Sequence, residues 1–175
     1  MEERVILVDE NNNEIGTEEK LAAHKAGKLH RAFSIFVFNP EGKLLLQKRA
    51  ASKYHSGGLW TNACCSHPRP DEKLEEAIHR RLTEEMGFDC NLSHAFDFVY
   101  SADFSNGLKE HEFDHVFIGT YDGTIKPNPS EADSFKWIDP IKLKDDTKIH
   151  PEKYSEWFKI SIDRVLDFQK RVSRK

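Results

Sequence analysis

Two short segments of this chain carry the residue types that do chemistry. Residues 62–68 read Asn-Ala-Cys-Cys-Ser-His-Pro and supply two adjacent thiols and an imidazole. Residues 80–88 read Arg-Arg-Leu-Thr-Glu-Glu-Met-Gly-Phe and combine arginines with paired carboxylates. Carboxylates can hold a phosphate group through Mg²⁺, which binds one or two carboxylates plus substrate phosphates. Such an anion site does not require a thiol, so the thiol indicates a reaction elsewhere on the bound molecule.

Glu85 is the carboxylate best placed for a metal ion. The apolar residues between 71 and 86 recur at helical spacing: Leu74, Ala77, Ile78 and Leu82. Continuing that stripe by three and four residues reaches Arg81 and Glu85, so both charges should lie on the face turned toward the protein body. The alternative is that Glu84 and Glu85 are exposed charges offset by arginines. Three more cations could contact a diphosphate, although each singly is more typical of a solvated surface: Lys20, Arg49 and Lys53.

A second pair of carboxylates lies on the predicted strand 110–121. Side chains two residues apart on a strand share a face at about 6.6 Å, so Glu110 and Glu112 should project together, followed by Asp114. A solvated edge strand would give the same pattern. Val116 and Ile118 continue this face as apolar residues, which favours a polar mouth above a buried surface. The nine histidines show no close ligand spacing, so spacing alone does not make them a site.

The elements that must position these residues alternate between strands and helices. The pattern predicts strands at 4–9, 29–38, 43–48, 96–100, 110–121 and 135–138, and helices at 17–26, 71–86 and 151–172. Thr17 and Asp71 are the expected helix N-caps, and Gly27 and Gly87 the expected ends. Asn106-Gly107 predicts a two-residue hairpin turn. The elements indicate an α+β fold, a mixed sheet with helices on its faces.

Length and charge narrow the class of protein. The chain of 175 residues fits one domain, 1–175, with a core and a ligand cavity. A net charge of −4 gives no broad basic field, so a nucleic-acid partner is not expected. Neither a signal peptide nor a membrane span is expected, and the acidic Glu2-Glu3 start argues against a transit peptide. Three cysteines, an odd number, fit a reducing compartment such as the cytoplasm.

The carboxylate helix resembles the Nudix box. That pattern is Gly, five residues, Glu, seven residues, then Arg-Glu-apolar-x-Glu-Glu-x-Gly-apolar, and these residues match in register: Glu72, Arg80, Leu82, Glu84, Glu85, Gly87 and Phe88. Ser66 stands where the box has its Gly, and Arg81 where it has its first helical Glu. These departures weaken the interpretation as a Nudix hydrolase.

Further segments extend the resemblance over nearly the whole chain. They are Leu29-His30-Arg31-Ala32-Phe33, Trp60-Thr61-Asn62, Cys65-Ser66-His67-Pro68, Glu110-His111-Glu112 and Trp157. With them the chain resembles type I isopentenyl-diphosphate isomerases, a Nudix-fold family. The fold this implies is a Nudix-like mixed β-sheet sandwiched by α-helices. The Cys-Ser-His-Pro register selects Cys65 as the reactive thiol and leaves Cys64 packed behind it.

The resemblance implies two metal sites and an anion site. One divalent ion, Mg²⁺, Mn²⁺ or Zn²⁺, would be held by His24, His30, His67, Glu110 and Glu112. A second ion, Mg²⁺, would enter with the substrate through Glu85. The residues expected around the diphosphate are Lys20, Arg49, Lys53 and Arg81. The implied partner is a small prenyl diphosphate, with neither nucleic acid nor membrane, and the protein is expected as a monomer or weak homodimer.

The resemblance also implies the reaction, which moves a carbon–carbon double bond between isopentenyl and dimethylallyl diphosphate. Cys65 and Glu112 would be the two proton carriers, and Tyr100 would bond near the carboxylate. The ring of Trp157 would stabilise a tertiary carbocation by about 2 kcal/mol. A two-residue turn at Asn106-Gly107 places Tyr100 on the wrong face, so its inclusion rests on the resemblance. The alternatives are a Nudix hydrolase of a nucleoside diphosphate derivative and a noncatalytic Nudix-fold binding module.

Overall fold

The computed structural model describes residues 3–172 of the chain. Residues 1, 2 and 173–175 of the predicted domain, and with them Glu2 of the acidic start, lie outside the described range. The strands are β1 (Arg4–Val8), β2 (Glu14–Glu19), β3 (His30–Phe38), β4 (Leu44–Arg49), β5 (Trp60–Thr61), β6 (Cys64–Ser66), β7 (Leu92–Asp103), β8 (Lys109–Thr120) and β9 (Ala132–Ile138). The helices are α1 (Lys20–Ala26), α2 (Leu74–Met86), α3 (Pro140–Ile149) and α4 (Glu156–Val172).

These strands form one mixed sheet. β2, β1, β3, β4 and β5 are neighbours in that order, and β9 adds to β4. β3 also pairs with β6 in antiparallel fashion and with β8 in parallel fashion, and β8 pairs with β7. The predicted mixed sheet is therefore confirmed, with β3 at its centre.

Alternation along β3 gives the sheet two apolar faces. Phe33 and Ile35 are buried on the side covered by α2. Phe36 and Phe38 are buried on the opposite side, against α4. Because successive side chains of a strand point to opposite faces, a strand that is apolar throughout requires cover on both sides. Helices on both faces supply that cover, so the predicted sandwich is confirmed.

The first helix begins later than the sequence predicts. Residues 14–19 form a strand, in which Thr17 pairs with Ile6 of β1, so Thr17 is not the N-cap. The cap is Glu19, whose carboxylate accepts hydrogen bonds from the backbone N–H of Leu21 at 2.8 Å and of Ala22 at 2.7 Å. Pairing with β1 overrides the local helix signal. The predicted end at Gly27 is confirmed, with a left-handed φ of 63°.

The second helix has its predicted end but not its predicted start. α2 begins at Leu74, and Asp71 takes a left-handed turn conformation with φ of 64° instead of capping the helix. Gly87 ends the helix at φ of 72°, and its N–H donates to the carbonyl of Thr83 at 3.0 Å. Ala77, Ile78, Leu82 and Glu85 are buried, which confirms the predicted inward stripe.

The hairpin between β7 and β8 differs from the predicted two-residue turn. Asp103 pairs with Lys109, so the connection is a five-residue loop. Tyr100 therefore lies opposite Glu112, where the shorter turn predicted Ser101. A shift of one residue moves a side chain to the other face of a sheet. The turn prediction was wrong, and the longer loop brings Tyr100 to the face of the carboxylates.

The carboxyl-terminal region contains one more helix than predicted. α3 follows Asp139, whose side chain accepts from the N–H of Ile141 at 2.8 Å, and only Leu143 of this helix is buried. The predicted helix from Pro151 starts as a single 3-10 turn, and α4 begins at Glu156. With one buried residue, α3 carries almost no apolar periodicity, which explains why the pattern did not predict it.

Candidate active site

Four predicted metal ligands converge on one point. His24 on α1, His30 on β3, His67 after β6 and Glu112 on β8 each offer a ligand atom, and these atoms lie within 4.8 Å of one another. All four residues are buried. His30 and Glu112 are brought together by register, since they are direct partners in the parallel pairing of β3 with β8. Glu110, the fifth predicted ligand, lies beside this group.

Two of the imidazoles are oriented as ligands by the backbone. His24 donates from Nδ1 to the carbonyl of Lys20 at 2.7 Å, and His30 donates from Nδ1 to the carbonyl of Lys28 at 2.8 Å. A carbonyl oxygen only accepts hydrogen bonds, so Nδ1 of each ring carries a proton. In the neutral ring the lone pair is then on Nε2. Both Nε2 atoms are buried and have no hydrogen-bond partner. Such outer hydrogen bonds are typical of metal-ligating histidine, so the residues fit a divalent ion.

The electrostatics of the cluster follow from burial and from Glu112. Burial lowers the pKa of His24 to about 4 and that of His67 to about 3, which keeps both rings neutral. Burial alone would raise the pKa of Glu112, but contacts with His30 and His67 hold it well below its usual range. His67 Nε2 lies 2.8 Å from Glu112 Oε1. His24 and His67 are therefore neutral, whereas for His30 burial opposes the charged ring but contacts with Glu112 raise its pKa above the usual value.

Tyr100 bridges the two carboxylates. Its hydroxyl oxygen lies 2.7 Å from Glu110 Oε2 and 2.6 Å from Glu112 Oε2. A phenol donates one proton, so the second short contact requires a proton from elsewhere. Burial and the neighbouring charge of Glu112 raise the pKa of Glu110, which makes Glu110 the carboxyl that takes up such a proton.

His55 also belongs to this cluster, and the sequence interpretation missed it. Its Nε2 lies 3.0 Å from Glu110 Oε1, and it forms a second group of ligand atoms with His24 and Glu110. The residue is buried. No ligand spacing marks His55 in the sequence, since it lies in the irregular segment between β4 and β5. Only the folded loop brings its ring to the carboxylates.

The two adjacent thiols point to opposite sides of the sheet. Cys64 is fully buried in the core beneath α2, whereas Cys65 is half-buried on the α4 side. β6 places Cys65 next to Ser34 of β3. Burial, followed by the negative charge of Glu112, raises the pKa of the Cys65 thiol well above its usual value. The alternation of β6 thus leaves one thiol in the core and one at the site.

Trp157 forms an apolar wall of the site. It is buried at the start of α4, and its indole N–H donates to Asn62 Oδ1 at 3.0 Å. Asn62 in turn donates to the backbone carbonyls of Cys64 at 2.6 Å and Ile35 at 3.2 Å. This amide therefore fixes the indole relative to β6, a positioning role that the sequence interpretation did not assign.

Glu85 is held at the edge of the same site. Arg81 donates from Nη2 to Glu85 Oε1 at 2.7 Å. Gln47 on β4 donates from Nε2 to Glu85 Oε2 at 2.9 Å and to the carbonyl of Ala63 at 3.1 Å. Gln47 is fully buried and was not among the predicted site residues. Both oxygens of Glu85 are thus oriented before any ion binds.

The predicted diphosphate cations have carboxylate or aromatic partners. Lys20 lies 3.1 Å from Glu3, and Glu131 pairs both with Lys53 and with Arg81, the latter at 3.1 Å. Arg49 lies over the indole of Trp157, 5.2 Å from the ring centroid. Lys20, Lys53 and Arg81 are therefore paired with carboxylates, whereas Arg49 packs on an aromatic ring.

Many of these groups line one small polar pocket. Its volume is about 30 Å³, and its lining residues are Lys20, Arg49, Lys53, Tyr54, His55, Cys65, Ser66, His67, Arg81, Glu85, Glu110, Glu112 and Trp157. A neighbouring cavity of about 600 Å³ shares His67 and Arg81 with it and is lined further by Glu3, Arg4, Arg69, Pro70 and Arg80. The structure therefore brings together every predicted catalytic and diphosphate residue except Tyr100, which lies behind the carboxylates.

Two carboxylates of the Nudix-box pattern are engaged elsewhere. Arg80 donates to both oxygens of Glu72, at 2.6 and 2.8 Å. Glu84 accepts from Arg80 at 3.0 Å and from Arg81 at 2.7 Å. Of the box carboxylates, Glu85 is the one that lines the polar pocket.

None of the helices within residues 3–172 has both the length and the apolar composition of a membrane span.

Comparisons with known proteins show which family the chain is similar to. The NUDIX domain model matches residues 28–158. The chain is 57% identical over 166 residues to isopentenyl-diphosphate Delta-isomerase 2 of Aromatoleum aromaticum, covering 95% of this chain and 88% of that protein. It is 52% identical over 165 residues to isopentenyl-diphosphate Delta-isomerase of Burkholderia multivorans, covering 94% of each chain.

Solved structures agree on the fold. DR0079 from Deinococcus radiodurans superposes with a TM-score of 0.78 at 20% identity, covering 93% of this chain and 98% of that one. The MutT protein from Methanosarcina mazei superposes with a TM-score of 0.65 at 19% identity, covering 82% and 94%. At this level of identity the likeness concerns the fold alone.

Proposed function

Because the chain belongs to the NUDIX family and, within it, to the isopentenyl-diphosphate Delta-isomerases, we propose a mechanism in which its own residues interconvert isopentenyl and dimethylallyl diphosphate. The enzyme is an isomerase that acts on a small prenyl diphosphate. The single observation that carries the mechanism is the convergence of Cys65, Glu112 and Trp157 on one pocket that is also lined by cations.

Cys65 and Glu112 are the two proton carriers of this mechanism. The reaction adds a proton to the terminal CH₂ carbon of the double bond and removes one from the CH₂ group on the other side, so two groups are needed. Cys65 approaches from β6 and Glu112 from β8, on either side of the central strand β3. The roles exchange in the reverse direction. Tyr100, 2.6 Å from Glu112 Oε2, holds the carboxylate in place.

Trp157 stabilises the charge that develops between the two proton transfers. Protonation of the alkene gives a tertiary carbocation, and the face of an indole attracts a cation by about 2 kcal/mol when water is excluded. The burial of Trp157 and its hydrogen bond to Asn62 fix the ring at the pocket wall. Exclusion of water also prevents addition of hydroxide to the cation.

The diphosphate serves as the handle that positions the five-carbon chain. Lys20, Arg49, Lys53 and Arg81 bind its oxygens in this proposal, and Mg²⁺ joins them through Glu85. Arg81 and Gln47 hold the two oxygens of Glu85, which prepares that carboxylate for an ion. Binding energy from the charged end is then available to orient the alkene.

His24, His30, His67, Glu110 and Glu112 would hold the second divalent ion, Mn²⁺, Zn²⁺ or Mg²⁺. The support is that the buried Nε2 atoms of His24 and His30 have no hydrogen-bond partner and that both residues group with His67 and Glu112. When bound, such an ion supplies fixed positive charge that keeps Glu112 ionised and in place. The donors suit each of these metals, because imidazole is a usual ligand of zinc and carboxylate is a usual ligand of magnesium and manganese.

Hydrolysis of a nucleoside diphosphate derivative is the alternative activity. It is disfavoured because Glu72 and Glu84 are paired with arginines and one box carboxylate faces the pocket. A noncatalytic binding module is the third candidate, and it has no use for Cys65 beside Glu112. Alkylation of Cys65 discriminates among them, since protection by a prenyl diphosphate but not by nucleotides favours the isomerase.

The proposal also covers the domain organisation, location, oligomeric state and partners of the enzyme. We propose that residues 1–175 act as one isomerase domain in the cytoplasm, as a monomer or weak homodimer. The net charge of −4 supports the absence of a nucleic-acid partner. We expect no membrane partner.

Proton NMR in deuterated water tests the mechanism directly. With isopentenyl diphosphate and Mg²⁺, the wild type should form dimethylallyl diphosphate and incorporate deuterium. Cys65→Ala and Glu112→Gln should each slow turnover by about 10²–10⁴-fold, because that is the usual contribution of a general acid–base group. Cys90→Ala, which removes a half-buried thiol outside the pocket, is the matched control and should stay active. Normal turnover in either pocket variant would refute the proton assignment.

A further inference from the structure

We propose that His55 is a ligand of the divalent-metal centre, binding through Nε2 on the side of Glu110. The assignment rests on the metal centre proposed above and adds a sixth protein donor to its five residues. His55 came from no motif in the sequence. Its evidence is the position of its ring, the contacts of its loop and the distances to its neighbours.

The loop that carries His55 is fixed against the site from both sides. Asn106 of the β7–β8 loop donates to the carbonyl of Tyr54 at 2.8 Å, and Arg49 donates to the carbonyl of His55 at 3.3 Å. Gly57 packs tightly, since a Cβ added there would meet the carbonyl oxygen of Ala51 at 2.7 Å. These contacts hold the backbone in a position from which the imidazole of His55 points into the site.

The ring itself is clamped by aromatic neighbours. It stacks on Phe104 with ring centroids 4.7 Å apart and planes at 15°, and it meets the edge of Trp157 at 6.0 Å. Tyr54 packs against its other side at 4.4 Å, nearly perpendicular. These contacts fix the direction of Nε2 without using either nitrogen. An imidazole held by its faces keeps Nε2 available for binding, while Nδ1 lies 3.3 Å from Ser56 Oγ.

The distance from His55 to Glu110 is that of two ligands of one ion. His55 Nε2 lies 3.0 Å from Glu110 Oε1, yet Nε2 makes no aligned hydrogen bond and is fully buried. Two adjacent ligands about 2.1 Å from an octahedral ion are separated by about 3.0 Å. His30 Nε2 shows the same relation to Glu112 Oε1, at 3.5 Å and without an aligned hydrogen bond.

His24 connects His55 to the predicted ligands. Its free Nε2 belongs both to the group with His30, His67 and Glu112 and to the group with His55 and Glu110. The hydroxyl of Tyr100 bridges the carboxylates of the two groups. The two groups are separate sets that share His24, and one ion bound by both would have six protein donors. Six protein donors would leave an octahedral ion no position for water, so the ion would hold side chains and would not bind substrate.

Metal binding and water access together test the assignment. His55→Phe keeps a ring that stacks on Phe104 and removes both nitrogens. In the full-length protein, we expect His55→Phe to weaken Zn²⁺ binding at least tenfold in competition with a chromogenic chelator, because even outer partners of ligands contribute 10–100-fold. With Mn²⁺ bound, water-proton relaxation should increase in His55→Phe, since water replaces the lost ligand.

Two controls separate the possible failures. Tyr54→Phe alters the same loop without removing a nitrogen and should bind both metals like the wild type. His67→Ala removes a ligand of the proposed centre and should lose binding. Wild-type affinity in His55→Phe, or weaker affinity without a gain of water, would overturn the role of His55. Wild-type affinity in His67→Ala would instead refute the metal centre itself.

Discussion

At the scale of single residues, the site depends on side chains that never touch the reacting atoms. Asn62 fixes Trp157 and β6 together, and Gln47 fixes Glu85. Each uses an amide whose geometry allows it to bond a backbone carbonyl and a functional side chain at once. Such residues are hard to recognise in a sequence, because amides are common and carry no charge that would mark them.

The role of Gln47 leads to a prediction about Mg²⁺. Gln47→Leu removes the donor to Glu85 Oε2 at 2.9 Å and leaves that oxygen without its buried partner. We expect the Mg²⁺ concentration for half-maximal activity to rise 10–100-fold, the usual effect of losing an outer partner of a metal ligand. Turnover at saturating Mg²⁺ should change little.

Activity measured across Mg²⁺ concentrations checks this expectation. Urea unfolding of the same variant accounts for the second bond of Gln47, to the carbonyl of Ala63. An unchanged Mg²⁺ dependence in a stable Gln47→Leu protein would show that Glu85 needs no such support.

At the scale of elements, the end of α2 is decided by backbone conformation and by packing. Gly87 has a φ of 72°, and a Cβ there would lie 2.3 Å from the carbonyl oxygen of Lys126. Lys126 in turn donates from its N–H to the carbonyl of Met86 at 3.1 Å. The segment before β9 therefore docks on the helix end, and glycine is required there for two reasons.

Gly87→Ala should destabilise the protein more than Gly42→Ala does. Gly42 has a similar φ of 77° but no neighbouring atom within 4 Å of an added Cβ, so it is a matched control for conformation alone. A non-glycine residue in the left-handed region costs about 1–2 kcal/mol, which is the expected effect at Gly42. At Gly87 the clash adds to this cost.

Urea unfolding of the two variants measures the difference. Equal losses of unfolding free energy would mean that the contact with Lys126 relaxes without cost. A larger loss at Gly87 would confirm that α2 and the following segment are packed as one unit.

At the scale of the whole molecule, the metal centre joins elements far apart in the chain. Its candidate ligands come from α1, β3, the segment after β6 and β8. An ion that binds the folded chain but not the unfolded one stabilises it by about 2.7 kcal/mol at one hundred times its dissociation constant. The fold and the metal site are therefore thermodynamically linked.

Metal removal should lower the melting temperature as well as the activity. For a chain of this length, a loss of about 2.7 kcal/mol corresponds to a decrease of roughly 5–10 °C. Thermal unfolding before and after chelation, followed by addition of Mn²⁺ or Zn²⁺, measures the effect. Cys65→Ala should show the same shift as the wild type, whereas His67→Ala should show none. A wild-type melting temperature that ignores chelation would contradict the linkage.

Features that depend on neighbouring residues could be predicted from local sequence patterns. The helical stripe ending at Glu85 and the shared face of Glu110 and Glu112 follow from periodicity, the helix end at Gly87 follows from the left-handed cap preference of glycine, and the structure has each of them. The spaced motifs identified Cys65 as the reactive thiol through the resemblance, and in the structure Cys65 lines the pocket. Local spacing is sufficient here because helix and strand periods fix which side chains share a face.

Contacts between groups far apart in the chain could not be predicted from local patterns and are set by how the elements pack. The five-residue loop that turns Tyr100 toward Glu112, the strand that displaces the start of α1, and the inward ring of His55 depend on partners far along the chain. Register and loop closure are set by the total free energy of packing between elements, to which a local pattern contributes little. For that reason His55 could be proposed as a ligand only from the folded structure.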